Sequence, residues 1–318
     1  MIGFGQQTYV PDSNFEAYLE LNNMGNGIFN DDSVTTININ QVTNLDVSFQ
    51  NIYDLTGIED FTALISLHCY NNNLSFLDVS NNTALNDLDC HYNQLTTLDV
   101  SNALTDLDCS SNQITTLDVS NNTALTDLDC RGNQLTLLDV SNNTALYDLD
   151  CRGNQLTLLD VSNNTALTYL NCYSNQITSL DVSNNTALSD LYCSSNQITS
   201  LDVSNNTALN NLYCGNNLLE QLNTKNGNWW FMDVGATENI LTCVEVDDIF
   251  YATNYWFFDW FTTIATNCND TVSSIQEHTT NKELLKVTDL LGRETKQTNQ
   301  PLFYIYDDGT VEKRIVIE

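Results

Sequence analysis

The chain has 318 residues, of which 41 are acidic and 9 are basic, so its formal net charge is −32 at pH 7. Six of the nine basic residues lie after residue 270. A surface with this charge repels nucleic acid and anionic lipid, and it leaves cations, cationic partners and neutral glycans as candidate ligands. No run of eighteen apolar residues occurs, so no membrane-spanning segment is predicted.

The N-terminal segment is predicted to be a short leader remnant followed by a cap. Residues 1–5 are too short for a signal peptide, and we predict that they are the remnant of one. Within the cap, residues 6–44, the stretch from Val10 to Asn22 has the pattern of a short amphipathic helix, which Asp12 or Ser13 can cap. Four apolar side chains are placed along one side of this helix: Phe15, Tyr18, Leu19 and Leu21. The helix is expected to cover the apolar end of the repeats that follow.

Residues 45–222 repeat with a nearly fixed period. Eight cysteines mark the copies, and successive members are 21 residues apart except for one separation of 19: Cys69, Cys90, Cys109, Cys130, Cys151, Cys172, Cys193 and Cys214. A period of this size is typical of a solenoid, in which each copy forms one turn of a coil. The predicted fold class is therefore a β-rich solenoid with short parallel strands.

One copy can be numbered from Leu125 as position 1. Apolar residues then alternate as in a strand, with Leu128 and Cys130 directed inward. The second half of the copy repeats this pattern with Leu138 and Val140, so each turn is predicted to contain two short strands. The asparagine at position 9 is assigned to a corner, where its amide can satisfy backbone groups. We interpret the cysteine column as a buried row of small apolar side chains, with metal binding or disulfide formation as the alternatives.

Two further regions follow the repeats. Residues 223–268 are rich in aromatic side chains and are predicted to form a C-terminal cap that closes the core. Residues 269–276 are predicted to be a linker. Residues 277–318 are predicted to form a small β unit, whose strands are the segments ELLKVTD, PLFYIYD and VEKRIVI.

The consensus LxxLxCxxNxLxxLDVSNNxA resembles the leucine-rich repeat, in particular the 21-residue bacterial subclass called IRREKO. The segments DLLGRE and YIYDDGTVEKRIVIE within residues 277–318 resemble the C-terminal sorting domain of the type IX secretion system. Together these resemblances imply a secreted or cell-surface binding protein of a Bacteroidetes bacterium, carried across the outer membrane by the type IX machinery. In a secreted cap, the last two cysteines, Cys243 and Cys268, are predicted to form a disulfide.

The copies differ most at the outward positions 3, 5 and 7 of the first strand, where solenoids place recognition. The middle copies present carboxylates and two arginines: Asp127, Asp129, Arg131, Asp148, Asp150 and Arg152. The later copies present tyrosines and an amide: Tyr169, Asn171, Tyr173, Tyr192 and Tyr213. We predict that the tyrosines contact a neutral protein or glycan ligand and that the carboxylates contact a cationic patch. Ordinary cross-strand stacking on an exposed sheet is the alternative.

No metal site, cofactor or catalytic group is predicted. The aspartates at position 15 are expected to accept hydrogen bonds from neighbouring serines or backbone groups, and calcium bridging is the alternative. The members that would bridge calcium are Asp118, Asp139, Asp160 and Asp181. His68 and His91 fall on neighbouring turns, but no exposed nucleophile joins them in a recognisable motif. The predicted function is recognition or adhesion, and a structural surface-layer or fibre component stabilised by calcium is the alternative.

Overall fold

The computed structural model describes residues 5–268, 284–288, 294, 301–306 and 311–315. The chain divides into two compact units, Met1–Cys268 and Asn269–Glu318. Most of the predicted leader remnant, the whole of the predicted linker and much of the predicted sorting domain lie outside the described residues. None of the described helices is long and apolar enough to cross a membrane.

The N-terminal cap of the first unit contains an antiparallel strand pair and two helices. Strand β1 (Gln7–Tyr9) pairs antiparallel with β2 (Ser33–Thr35), and the helices are α1 (Ser13–Leu21) and α2 (Thr36–Ile39). A 3₁₀ helix at Ile58–Asp60 follows in the first coil. As predicted, Asp12 caps α1: its Oδ1 accepts hydrogen bonds from the backbone N–H groups of Asn14 and Phe15 at 2.9 and 3.0 Å. Its Oδ2 accepts the Tyr53 N–H at 2.7 Å, which ties the helix to the first coil.

The buried side of α1 is narrower than the sequence predicts. Phe15 and Leu19 are fully buried, whereas Leu21 is 74% exposed, so its predicted place on the buried side is wrong. Residues four apart lie on one side of a helix, but six residues rotate a side chain by about 600°, which places Leu21 well away from Phe15.

Short parallel strands, one in each turn, form the main sheet. In chain order within residues 5–268 they are β3 (Asn44–Asp46), β4 (Ser66–His68), β6 (Asp87–Asp89), β8 (Asp106–Asp108), β9 (Asp127–Asp129), β10 (Asp148–Asp150), β11 (Tyr169–Asn171), β12 (Asp190–Tyr192), β14 (Asn211–Tyr213) and β16 (Asp233–Gly235). Each strand pairs in register with the next, so Leu128 lies between Leu107 and Leu149. The 19-residue copy keeps this register, because Asp87 still pairs with Asp106. The two missing residues are therefore lost from a corner.

The other side of the coil is strand only near its two ends. Its strands are β5 (Phe76–Asp78) and β7 (Thr97–Asp99), then β13 (Ser200–Asp202), β15 (Gln221–Asn223), β17 (Cys243–Glu245) and β18 (Thr263–Ala265). The prediction of a second strand in every turn is wrong for the middle copies, where residues 138–140 are not strand. Successive turns there are joined at the corner instead, where the Gln155 N–H donates to the Leu135 carbonyl at 2.8 Å.

The core contains the leucine, valine and cysteine columns of the repeat. The eight cysteines of the column are buried and unpaired, as predicted. Two asparagine columns join the turns. In the predicted column, Asn154 Nδ2 donates to the carbonyls of Cys130 and Cys151, each at 3.0 Å, and its Oδ1 accepts the Leu135 N–H at 3.0 Å. A second buried column, which the sequence reading did not assign, comes from the second asparagine of the NNT corners. Its member Asn164 donates to the Val140 carbonyl at 2.9 Å.

The C-terminal cap is built from the last turns and one helix. Helix α3 (Ile249–Tyr255) is capped by Asp248, whose Oδ1 accepts the Tyr251 N–H at 2.7 Å. The predicted disulfide between Cys243 and Cys268 is present and closes the end of this unit.

The second unit contains an antiparallel sheet of three described strands. They are β19 (Leu284–Thr288), β20 (Pro301–Tyr306) and β21 (Val311–Ile315), with β20 in the centre. These strands fall on the three segments that the sequence predicts.

Candidate functional site

The main sheet has an outer side, here called the sheet face. It is formed by positions 3, 5 and 7 of each 21-residue copy, of which positions 3 and 5 lie on the strand and position 7 lies two residues beyond its end. Residues two apart on a strand point to the same side, and in-register parallel pairing places equivalent positions side by side. Each copy therefore adds one row of three side chains to the sheet face. The candidate residues from the sequence all lie on this face, in adjacent rows.

The tyrosine half of the sheet face consists of Tyr169, Asn171, Tyr173, Tyr192 and Tyr213. The rings of Tyr192 and Tyr213 stack in parallel with centroids 5.5 Å apart, and Tyr169 is tilted against Tyr192 at 5.6 Å. Tyr173 is 46% exposed. A shallow depression of about 280 Å³ is lined by Arg152, Asn171, Tyr173, Tyr192, Ser194 and Tyr213. This half thus offers flat aromatic area whose geometry is already fixed by neighbouring rings.

The rings of Tyr169, Tyr192 and Tyr213 are here called the tyrosine stack, and a polar contact holds each of its outer members, Tyr213 and Tyr169. The Tyr213 hydroxyl donates to Asp233 Oδ2 at 2.7 Å, and this bond is the main reason that the pKa of Tyr213 rises to about 12. Asn171 is only 3% exposed, and its Nδ2 donates to the Tyr169 hydroxyl at 3.2 Å. Asn171 therefore orients Tyr169 more than it faces solvent.

Gly235 lies beside the tyrosine stack and was not predicted from the sequence. It occupies position 5 in the turn after Tyr213, and a Cβ atom there would come within 2.9 Å of the Tyr213 ring. The absence of a side chain allows the Tyr213 ring to lie over the backbone of the next turn. A glycine in a column otherwise filled by Asp, His, Asn and Tyr was the sequence signal.

The acidic half consists of Asp127, Asp129, Arg131, Asp148, Asp150 and Arg152. Arg131 Nη1 lies 3.1 Å from Asp129 Oδ2 and 3.8 Å from Asp150 Oδ2. Arg152 Nε lies 3.4 Å from the same Asp150 oxygen. All of these residues except Arg152 line a depression of about 340 Å³, together with Asp106, Leu107, Asp108, Leu128 and Tyr169.

Several carboxyl groups of this depression lie in surroundings that disfavour their charge. Burial, with the charge of Asp108 next, raises the pKa of Asp129 to about 7 although Arg131 is beside it. Burial and the charge of Asp127 raise the pKa of Asp106 to about 6. Burial also raises the pKa of Asp150. A cationic group that docks here would favour the ionised carboxylates.

The position-15 aspartates lie on the opposite side of the turns and are satisfied locally. In each of Asp118, Asp139, Asp160 and Asp181, Oδ1 accepts the backbone N–H of the serine two residues later at 2.9 Å. Hydrogen bonds from these serines lower the pKa of all four carboxyl groups. Within the described part of the chain, none of them belongs to a group of three residues with converging ligand atoms.

The two histidines of the sheet face have different partners. His68 Nε2 lies 3.4 Å from both Ser66 Oγ and Asp87 Oδ2, while Ser66 Oγ donates directly to Asp87 at 2.8 Å. Serine and aspartate thus meet the same ring nitrogen, which is not the arrangement of a catalytic triad. His91, by contrast, lies between Asp89 and Asp108, a grouping that the sequence reading did not identify.

Comparison with known proteins places this geometry among solenoid structures. A family profile described as the LVIVD repeat matches residues 151–175, about one turn of the coil. No curated protein sequence matches the chain. The functional domain of InlJ from Listeria monocytogenes, described as including a cysteine ladder, is 29% identical, with 83% of this chain and 73% of that chain covered and a TM-score of 0.51.

A second solved structure, the leucine-rich repeat domain of APL1B, is 21% identical over 70% of this chain and 78% of that chain, with a TM-score of 0.52. Both comparisons agree with the parallel-strand solenoid fold of this chain, and the buried cysteine column is similar to the cysteine ladder named for InlJ. The first unit of this chain is therefore a parallel β-solenoid with 21-residue turns, similar in fold to the functional domain of InlJ and to the leucine-rich repeat domain of APL1B.

Proposed function

We propose that this chain is a secreted or cell-surface recognition protein that binds a protein or glycan partner through its sheet face. The observation that carries the proposal is the tyrosine stack, in which Tyr192 contacts Tyr169 of the preceding turn and Tyr213 of the following turn. Preformed aromatic rows supply contact area at a small entropic cost, because the side chains are already ordered before binding. The similarity to an internalin domain supports the same class of function.

The acidic half gives the proposed surface a second, charged part. A neutral region of the ligand would lie on the tyrosines, and a cationic patch would lie over Asp129 and Asp150. Because burial raises the pKa of both carboxyl groups, binding of a cation there favours loss of their protons. Since the pKa of Asp129 is raised to about 7, binding of a cation near neutral pH is expected to release a proton from this carboxyl group.

The test of the proposal is a binding screen of the full chain against an array of neutral glycans and a panel of purified extracellular proteins. The variant carries Tyr169→Ala, Tyr192→Ala and Tyr213→Ala together. The matched control carries Tyr9→Ala and Tyr53→Ala, which remove two exposed tyrosines outside the tyrosine stack. We expect the triple variant to lose the hits of the wild type while the control keeps them. Retention of every hit by a folded triple variant would place recognition elsewhere.

We further propose that residues 277–318 direct export through the type IX secretion system of a Bacteroidetes bacterium. The support is the sequence resemblance of this segment together with its separate three-stranded sheet. Expression behind a signal peptide of a type IX-competent host, with and without residues 269–318, tests it. The truncated chain should accumulate in the periplasm while the full chain reaches the cell surface or medium. Equal export of both would refute the assignment.

The calcium-stabilised structural alternative gains no support from the position-15 column. Those carboxylates are already stabilised by hydrogen bonds from their own turns, so they do not require a shared cation to offset repulsion.

A further inference from the structure

Three potential metal ligands meet on the sheet face one turn away from the acidic half. Asp89 and His91 come from the end of β6 and the position just after it, and Asp108 is the in-register partner of Asp89 on β8. One ligand atom from each lies within 4.8 Å of the other two. His91 Nδ1 contacts Asp89 Oδ1 and lies 3.5 Å from Asp108 Oδ2.

Neighbouring groups fix the orientation of these ligands. Asp108 Oδ1 accepts the Ser110 N–H at 2.9 Å, which leaves Oδ2 directed toward His91. The imidazole of His91 lies flat against the Tyr70 ring, with centroids 4.6 Å apart and an interplanar angle of 5°. Tyr70 is in turn held edge-on by Phe49 at 5.2 Å. The histidine is thus held by an aromatic stack with Nδ1 facing two carboxylates.

We propose that Asp89, His91 and Asp108 form a binding site for a divalent transition-metal cation of the Zn²⁺ class. An imidazole nitrogen with two carboxylate oxygens is a donor set that suits such ions, whereas Ca²⁺ prefers six to eight oxygen ligands. The two carboxylate charges balance the charge of the ion. Three protein ligands leave at least one coordination position for water or for a donor atom of a partner.

The alternative role for His91 is that of a counter-charge, in which a protonated imidazole pairs with the two aspartates and no metal binds. Both roles use the same contacts, but they predict different responses to Zn²⁺. A counter-charge competes with a metal for Nδ1 and gives no saturable binding. A metal ligand gives binding that depends on all three side chains.

His68 supplies a matched control. It lies on the same sheet face one turn earlier, and its ring also contacts an aspartate, Asp87, at 3.4 Å. In the described part of the chain, however, His68 is in no group of three converging ligands. His68→Ala therefore removes a histidine from the same surface without removing a ligand of the proposed site.

The experiment is calorimetric titration of the full chain with Zn²⁺ in physiological salt with excess Ca²⁺, which occupies nonspecific acidic sites. We expect one Zn²⁺ per chain for the wild type and for His68→Ala. Loss of a ligand should weaken binding at least as much as loss of an outer-shell partner, which costs about 10–100-fold, so His91→Ala and the isosteric Asp108→Asn should each bind at least about tenfold more weakly.

Circular dichroism checks that each variant is folded. If His91→Ala does not fold, Asp108→Asn still tests the proposal. Nitrogen NMR of the histidine rings adds a second readout, because Zn²⁺ should shift the Nδ1 signal of His91 and leave that of His68 in place. The proposal is overturned if the wild type does not bind Zn²⁺ under these conditions. It is also overturned if a folded His91→Ala or Asp108→Asn chain binds as tightly as the wild type.

Discussion

The asparagine column at position 9 allows a quantitative test of what joins the turns, and Asn154→Ala is the informative substitution. Asn154 is 8% exposed, and its amide makes three hydrogen bonds of 3.0 Å to backbone groups of its own turn and of the preceding turn. The losses are not equivalent. The Cys130 carbonyl still accepts from Asn133 at 3.0 Å, and the Cys151 carbonyl still accepts from Asn175 at 3.1 Å. The Leu135 N–H loses its side-chain acceptor in a buried corner.

A buried backbone N–H without an acceptor costs about 1–3 kcal/mol, and a lost hydrogen bond whose partner remains satisfied costs about 0.5–1.5 kcal/mol. With one loss of the first kind and two of the second, Asn154→Ala should lower the free energy of unfolding by about 2–6 kcal/mol. The control is Asn163→Ala in the following corner, where an exposed amide donates only to the Ser141 carbonyl at 3.1 Å. An exposed change of this kind should stay within about 0.5 kcal/mol.

Urea unfolding followed by far-ultraviolet circular dichroism measures both variants, with the midpoint compared at unchanged slope. A midpoint for Asn154→Ala equal to that of Asn163→Ala would show that the column does not join the turns as described. The hydrogen bonds of Asn154 would then be replaced by water at little cost.

Two other predictions concern titratable side chains. Because burial raises the pKa of Asp129 to about 7 from 3.8, its contribution to stability is fully present below about pH 4 and is lost as the pH rises through 7. The full pKa difference of Asp129 corresponds to about 4 kcal/mol, and solvent screening reduces this value because the side chain is 23% exposed. Asp129→Asn should therefore stabilise the protein by about 1–2 kcal/mol at pH 8 and should have no effect at pH 4. Asp139→Asn, at a carboxyl group whose pKa is lowered, should give no such gain, and thermal melts across this range would contradict the reasoning if the two variants behaved alike. Burial raises the pKa of Cys172 and Cys214 to about 12. The thiols of the cysteine column should therefore resist iodoacetamide in the native protein and react after unfolding, and mass spectrometry counts the labelled cysteines. Comparable labelling in both states would mean that the column opens to solvent.

Much of the fold could be predicted because a solenoid repeats one local pattern. The period of the cysteines fixes the length of a turn, and the alternation around Leu128 and Cys130 fixes which side chains are buried. The capping of α1 by Asp12 also follows from local chemistry, and the pairing of Cys243 with Cys268 follows from their place in a cap that is predicted to be secreted. The absence of second strands in the middle turns does not, because it depends on backbone distances between turns.

The sequence by itself determined which residues share the sheet face, since a period of two assigns each side chain to one side. It could not determine which side-chain ends meet, because that depends on rotamers and on contacts between turns. Only the tertiary structure placed Asn171 out of solvent, laid Tyr213 over Gly235, and directed Asp108 toward His91. In a coil whose turns are nearly identical, the scaffold is therefore readable from the repeat. The chemistry of its surface arises from the few rows where neighbouring copies differ.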